Sequence, residues 1–196
     1  MDHQALTPFL ASALAEYSFI TPEQPLPCFA ILLGRLEDDT AYVERSAFGR
    51  NSRATDPSAQ LEFSEAIVPR FGRAYENEHR GWWIDSHDVL RITRAAEEDG
   101  LDVLGSIHMH PDWHRIGPPE ERGARLSERP TPMDTHVFAG TAWPVNVICY
   151  LEQQGEAMYH ALAAWGPPRA DAPELGCTEL ELRIRADVGA AASAKR

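Results

Sequence analysis

Apolar and polar positions follow one another in short segments along this chain, and most segments have the composition or period of a strand. Residues 28–34 form a nearly continuous apolar run, as in a strand buried on both faces. A polar turn follows, so residues 41–48 are predicted to return as an antiparallel partner. A second apolar run, residues 103–107, leads directly into His108-Met109-His110-Pro111. Side chains two positions apart in a strand share a face, so His108 and His110 are predicted to point the same way.

The second half of the chain continues this strand pattern. Residues 145–151 and 158–165 predict two strands joined by a turn at 153–155. Residues 178–185 alternate strictly between apolar and polar, which indicates a half-buried edge strand. Upstream of the histidines, residues 82–84 predict one more short strand.

Two helices are predicted in the first half of the chain. Residues 7–17 are expected to begin with Thr7 as the cap and Pro8 in the first helical position. Residues 87–98 follow Ser86, a residue type that favours the N-cap, and precede a glycine that favours the C-terminus. The positions expected to face inward are Leu6, Leu10, Leu14 and Tyr17 in the first helix, and Val89, Leu90, Thr93 and Ala96 in the second.

A third helix is predicted from Thr131-Pro132-Met133-Asp134 to about Thr141. Strands and helices therefore interleave, which favours an α/β fold with a mixed, mainly antiparallel sheet flanked by helices. The pattern between residues 49 and 81 is weak, and residues 61–68 are expected to form a short helix or strand. The length of 196 residues suits one domain, placed at residues 1–187, and the small and polar residues 188–196 are predicted to be a disordered tail.

Charge and cysteine content narrow the possible partners. The formal net charge of -12 argues against nucleic acid and against an anionic membrane surface, because both require a basic protein surface. No apolar run is long enough for a membrane span, and the first residues do not resemble a signal peptide. The three scattered cysteines, Cys28, Cys149 and Cys177, are predicted to be buried free thiols. A cytoplasmic location is therefore expected.

The histidine-bearing strand is the main candidate for chemistry. His108, His110 and Asp134 would supply the three His or Asp ligands that hydrolytic Zn²⁺ sites commonly use. Two plainer interpretations exist. A His-x-His pair arises by chance in a chain with eight histidines, and Thr131 followed by Asp134 is also the signature of a helix capping box.

These residues resemble the motif of the JAMM (MPN-plus, Mov34-type) zinc metalloproteases, in its bacterial single-domain form. The resemblance consists of His-x-His-Pro after an apolar strand and Pro-Thr-x-x-Asp after a spacer, and it extends over about residues 26–166. It implies a cytidine-deaminase-like fold with His108, His110 and Asp134 as zinc ligands. It also implies that Thr131 replaces the serine that stabilises the oxyanion in this family.

The resemblance implies hydrolysis of a peptide or isopeptide bond, with zinc activating the water and a glutamate moving the proton. The implied partner is the C-terminal tail of a small ubiquitin-like or sulfur-carrier protein. Two alternatives stay open: a catalytically silent scaffold of the same fold, and a zinc hydrolase repurposed for a small-molecule amide.

The sequence departs from the family pattern at the catalytic glutamate. The family's glutamate lies seven residues before the glycine that closes the first strand, and this count from Gly34 falls on Pro27. Glu23 is the nearest upstream carboxylate and is our candidate for the catalytic base. The rival candidates are Glu44, Glu62 and Glu65, and the silent scaffold requires none of them.

Two further departures concern the residues around the histidines. The spacer before Asp134 is longer than the family's, and residues 112–129 are predicted to form a flap beside the cleft. His114 in this flap is an exposed loop histidine or an extra ligand. Met109 replaces a small residue and is predicted to face the core.

Overall fold

The computed structural model describes residues 1–25, 28–112 and 129–186. Three of the sequence predictions lie outside these residues. They concern Pro27 at the family's glutamate position, the flap with His114, and the tail at 188–196.

A six-stranded mixed sheet forms the centre of the molecule, in the order β2-β1-β3-β4-β5-β6. Neighbouring strands are antiparallel except β3 and β4, which are parallel. The α/β class and the mainly antiparallel sheet are therefore confirmed. The strands are β1 (Phe29–Glu37), β2 (Thr40–Ala47), β3 (Asp102–Pro111), β4 (Val145–Gln154), β5 (Ala157–Gly166) and β6 (Thr178–Leu180).

Helices cover both faces of this sheet. The described α-helices are α1 (His3–Tyr17), α2 (Pro57–Glu62), α3 (Val68–Phe71), α4 (Ser86–Glu98) and α5 (Pro132–Thr141). A π-helical turn, Phe63–Ile67, joins α2 to α3, so the ambiguous residues 61–68 are helical. Short 3-10 helices lie at Arg73–Glu76 and Pro173–Leu175. Within the described ranges, no helix has both the length and the apolar character needed to span a membrane.

The core has one layer on each side of the sheet. On one side α1 packs against alternate residues of β1, β3 and β4, among them Ala30, Met109 and Cys149. On the other side Ile31 packs with α4, and Ile148 packs with Phe138 of α5. The run at residues 28–34 is therefore a strand buried on both faces, as its composition predicts.

The prediction for the first helix is wrong in its start and in part of its face. The helix α1 begins at His3, because Asp2 and His3 pair through their backbones with Val43 and Arg185. Pro8 therefore lies inside the helix. Leu14 is exposed, and the buried positions are Ala5, Leu6, Phe9, Ala13 and Tyr17.

The second helix begins one residue earlier than predicted, at Ser86, and it differs from the prediction in its cap and its face. The side chain of Asp85, and not Ser86, accepts hydrogen bonds from the first-turn N–H groups, because a carboxylate one residue earlier reaches them. Leu90 is exposed and Ile92 is buried, so the inward face is rotated from the predicted one. The helix ends before Gly100, which has a φ of 67°, as predicted.

Two predicted strands are shorter than the sequence pattern suggests. Residues 82–84 contribute one isolated bridge, between Asn51 and Ile84. The last strand ends at Leu180, and the chain then crosses to pair Arg185 with Asp2 near the start of α1. Ile184 is consequently exposed. Cys28 and Cys149 are buried free thiols as predicted, whereas Cys177 is only half-buried.

Candidate metal centre

The strand β3 carries both histidines on one face of the sheet. Its neighbour β1 places Phe29 opposite His108, and β4 places Ile148 on the other side of His108. Met109 points to the opposite face, where it is buried in the α1 layer, and its N–H donates to the Cys28 carbonyl. The predictions that the histidines share a face and that Met109 faces the core are confirmed.

The third member of the group, Asp134, lies in the first turn of α5. The chain leaves the carboxyl end of β3 and returns through α5 to the parallel strand β4, so the start of α5 lies near that end. Phe138, one turn after Asp134, is buried with its ring centroid 6.1 Å from that of His108. This contact orients α5 so that Asp134 faces the two imidazoles.

The three side chains converge on one point. The two Nε2 atoms of His108 and His110 are 2.9 Å apart. Asp134 Oδ1 is 3.3 Å from His108 Nε2, and Asp134 Oδ2 is 3.4 Å from His110 Nε2. Within the described part of the chain, these three residues form the group of His, Cys, Asp and Glu side chains that could hold a metal ion.

Burial and neighbouring charges set the protonation states of these groups. Burial lowers the pKa of His108, although the Asp134 carboxylate acts against this effect, so the ring is neutral at pH 7 and keeps a lone pair. Burial alone would raise the pKa of Asp134. The adjacent histidines outweigh that effect and hold the pKa well below its usual range, so the carboxylate is ionised. These are the protonation states that metal binding requires.

The spacing of the donor atoms also fits a metal ion. A tetrahedral ion with bonds near 2.05 Å places its ligand atoms about 3.3 Å from one another. Asp134 Oδ1 has this spacing from His108 Nε2, Asp134 Oδ2 has it from His110 Nε2, and the two imidazole nitrogens are slightly closer to each other. Two imidazoles and one carboxylate suit several first-row transition metals, so the site can hold a metal ion without specifying which one.

Aromatic side chains enclose His108. Trp82 stacks on Phe29 with ring centroids 4.8 Å apart, and its centroid is 6.3 Å from that of His108. Within the described residues the buried Nδ1 of His108 has no hydrogen-bond partner. Packing against Trp82 and Phe138 therefore holds this ring, in place of the carbonyl or carboxylate that orients many metal-binding histidines.

The structure does not bring the candidate glutamates into the metal-binding group. Glu23 is exposed, and its backbone carbonyl accepts a hydrogen bond from the Asn77 side chain. Glu44 pairs with Arg35, opposite the end of β1 that is distant from the histidines. Glu62 is half-buried at the end of α2, and Glu65 is exposed on the π-helical turn.

Thr131 lies at the site as predicted, but its contacts are with Asp134. It is the N-cap residue of α5, and the reciprocal hydrogen bonds of a capping box link the two residues. The interpretation of this motif as a helix capping box is therefore correct, and Thr131 also lies beside the metal-binding group.

The end of α1 supports the site from the opposite face of the sheet, a feature absent from the sequence predictions. The Tyr17 hydroxyl donates to the Asp112 carboxylate at 2.7 Å, and Asp112 is fully buried directly after β3. The neighbouring Glu16 has its pKa raised by burial, an effect that a hydrogen bond with the Cys28 thiol opposes. The sequence contained one local signal for this contact, because the acidic Asp112 directly follows His-x-His-Pro. Its partner Tyr17 is 95 residues away in the sequence.

Two further histidines and Cys177 lie beside the group or far from it. His136 contacts Arg70 and the Phe71 ring on another face of α5, and His87 is exposed on α4. The half-buried Cys177 lies 3.8 Å from the Thr135 hydroxyl, and burial raises the pKa of its thiol.

Comparison with known proteins extends the description of the fold. No protein-family model matches this chain, and no curated protein matches its sequence. The solution structure of protein DSY2949 from Desulfitobacterium hafniense is similar, with a TM-score of 0.53 and 16% sequence identity over 96% of each chain. At this identity the similarity shows a shared fold alone. The chain is thus an α/β protein whose sheet and helix α5 bring together a His-His-Asp group able to hold a metal ion.

Proposed function

We propose that this protein is a zinc-dependent hydrolase of the JAMM type, which cleaves a peptide or isopeptide bond. The observation that carries the proposal is the convergence of His108, His110 and Asp134 between the end of β3 and the start of α5. These are the positions that the sequence resemblance assigns to the zinc ligands. Three protein ligands from His and Asp are the number that catalytic zinc sites commonly use.

The residues of the chain supply binding, orientation and shielding. His108 and His110 would hold the ion through Nε2, and Asp134 would hold it through its carboxylate. The chemistry that zinc supplies when bound is Lewis acidity, which makes water nucleophilic at neutral pH. Trp82 and Phe138 limit the access of bulk water to His108, which strengthens electrostatic interactions inside the site.

The proposed substrate is the C-terminal tail of a small ubiquitin-like or sulfur-carrier protein. This part of the proposal rests on the family resemblance. The proposed location is the cytoplasm, and it is supported by the three free cysteine thiols.

Metal analysis and a hydrolysis assay test the proposal together. Protein purified without chelators should contain about one zinc ion per chain and should release the last residues of a ubiquitin-like or sulfur-carrier tail. His108→Ala should lose both the metal and the activity, because it removes one of three ligands. His87→Ala is the matched control, because that imidazole is exposed on α4 and should change neither quantity. A wild-type protein that binds no divalent metal would refute the proposal.

A metal-binding scaffold without catalysis is the second candidate function. It is favoured by the positions of Glu23 and Glu44, neither of which belongs to the metal-binding group of the described residues. Cleavage by the zinc-loaded wild type distinguishes the two candidates, and Glu23→Gln tests the base. A zinc-loaded wild type that cleaves tail substrates, with a large loss of rate in this variant, supports the hydrolase with Glu23 as its base. A zinc-loaded protein that cleaves none of them supports the scaffold.

A further inference from the structure

The hydroxyl of Thr131 is occupied within the candidate site. Its Oγ1 donates to Asp134 Oδ2 at 2.7 Å and accepts a hydrogen bond from the Asp134 N–H at 3.2 Å. A hydroxyl carries a single proton. While this proton is bonded to Asp134, it is not available to an oxyanion on a substrate. The geometry therefore conflicts with the oxyanion role that the family resemblance implies for this residue.

The bonds from Thr131 also distinguish the two oxygens of Asp134. The backbone N–H of Thr131 donates to Oδ2 at 2.7 Å, so this oxygen accepts two short hydrogen bonds from one residue. Oδ1 remains directed toward His108 Nε2 at 3.3 Å. The final torsion of an aspartate is soft, and two bonds to one oxygen restrict it. Thr131 thus holds the carboxylate in the orientation in which Oδ1 faces His108, while the hydrogen-bonded Oδ2 lies 3.4 Å from His110 Nε2.

We propose that Thr131 is a positioning residue, which holds the Asp134 carboxylate so that Oδ1 is presented to a metal ion. The inference rests on the proposed metal binding and concerns the same site. Hydrogen-bond partners behind a ligand commonly change metal affinity 10–100-fold when they are removed. The branched Cβ of threonine limits rotation of its side chain, which keeps Oγ1 within hydrogen-bond distance of Oδ2.

The affinity for Co²⁺ alone, measured by competition with a chelating indicator, tests this role without an assay of activity. Thr131→Val keeps the shape of the side chain and removes the hydroxyl, and we expect its Kd for Co²⁺ to rise about 10–100-fold. Thr131→Ser retains the hydroxyl and should remain within a few-fold of the wild type. The visible absorption of bound Co²⁺ should change in the valine variant, because freeing Oδ2 alters the ligand environment.

A second helix cap provides the control for a purely structural effect. Asp56 caps α2 through its bonds from the Ser58 and Ala59 N–H groups, and it belongs to no metal-binding group among the described residues. Asp56→Ala should lower the melting temperature and leave the Co²⁺ affinity unchanged. If Thr131→Val does not fold, Thr131→Gly replaces it, because glycine is tolerated at N-caps.

The possible results separate this inference from the proposed function. Unchanged Co²⁺ affinity in Thr131→Val, with slower hydrolysis, would overturn the positioning role. It would indicate instead that the hydroxyl contacts the substrate. Equal losses of affinity in Thr131→Val and Asp56→Ala would overturn it as well, because the effect would then be general destabilisation. Failure of the wild type to bind metal would instead refute the proposed function, and this inference with it.

Discussion

Single residues in this protein carry the candidate chemistry, and several of them are recognisable from their local pattern. His108 and His110 share a face because strand side chains alternate, and Asp134 follows the capping residue of a helix. Glu23 could not be judged in the same way. Its place depends on the path of a proline-rich connector, which no period in the sequence specifies. In the structure that residue is exposed.

The contribution of the hydrogen bond between Tyr17 and Asp112 to stability can be tested by removing a single oxygen atom. Tyr17→Phe removes the hydroxyl that donates to the buried carboxyl group, and we expect a loss of about 1–3 kcal/mol in the free energy of unfolding. Denaturant unfolding at neutral pH measures this change.

Tyr42→Phe is the control for that substitution. Its ring lies near Arg185, and the structure gives its hydroxyl no hydrogen-bond partner among the described residues. A loss as large in Tyr42→Phe as in Tyr17→Phe would show that the bond to Asp112 contributes nothing specific.

Whole elements were easier to predict than their ends. The strands β1 and β3 and the helix α5 follow from an apolar run or from a capping box, both of which act within a few residues. The start of α1 and the end of β6 were predicted wrongly, because residues 2 and 185 pair with each other across the fold. Leu90 has the right period to face inward, yet packing against β1 selects Ile92.

The parallel pair β3 and β4 depends on one glycine. A Cβ at Gly105 would lie 1.5 Å from the Val145 carbonyl oxygen, so the two backbones approach too closely for any side chain. Gly105→Ala should therefore destabilise the protein by several kcal/mol, since strand β4 would have to move. Because His108 follows on the same strand, this variant should also lose metal affinity.

Gly140→Ala is the matched substitution for this prediction. A Cβ at Gly140, inside α5, would meet no atom within 4 Å, and alanine favours a helix. We expect this variant to be unchanged or to gain about 0.5–1 kcal/mol. Thermal melts of both variants decide the matter, and equal stabilities would contradict the close approach at Gly105.

At the scale of the whole molecule, the class of fold was predictable and the supporting contacts were not. Interleaved strands and helices indicate an α/β protein, as observed. The partners Tyr17 and Asp112 are 95 residues apart, and no local pattern connects them. Trp82 likewise reaches His108 only because its segment folds back over β1.

Metal binding should stabilise the entire fold, because its ligands come from two elements that unfolding separates. At a zinc concentration of about 100 times the Kd, linkage adds about 2.7 kcal/mol to the free energy of unfolding. In a domain of this size the melting temperature should rise by roughly 5–10 °C. Calorimetry with zinc and with a chelator measures the shift. A similar rise in His108→Ala would mean that zinc acts elsewhere.

The capping box at the start of α5 has an electrostatic consequence for whatever binds beside it. The aligned peptide dipoles of a helix create a partial positive charge at its N-terminus. At this site that charge stabilises the anionic Asp134 and at the same time opposes a cation. The charge that keeps Asp134 ionised at the helix start therefore also sets how strongly the site attracts a cation.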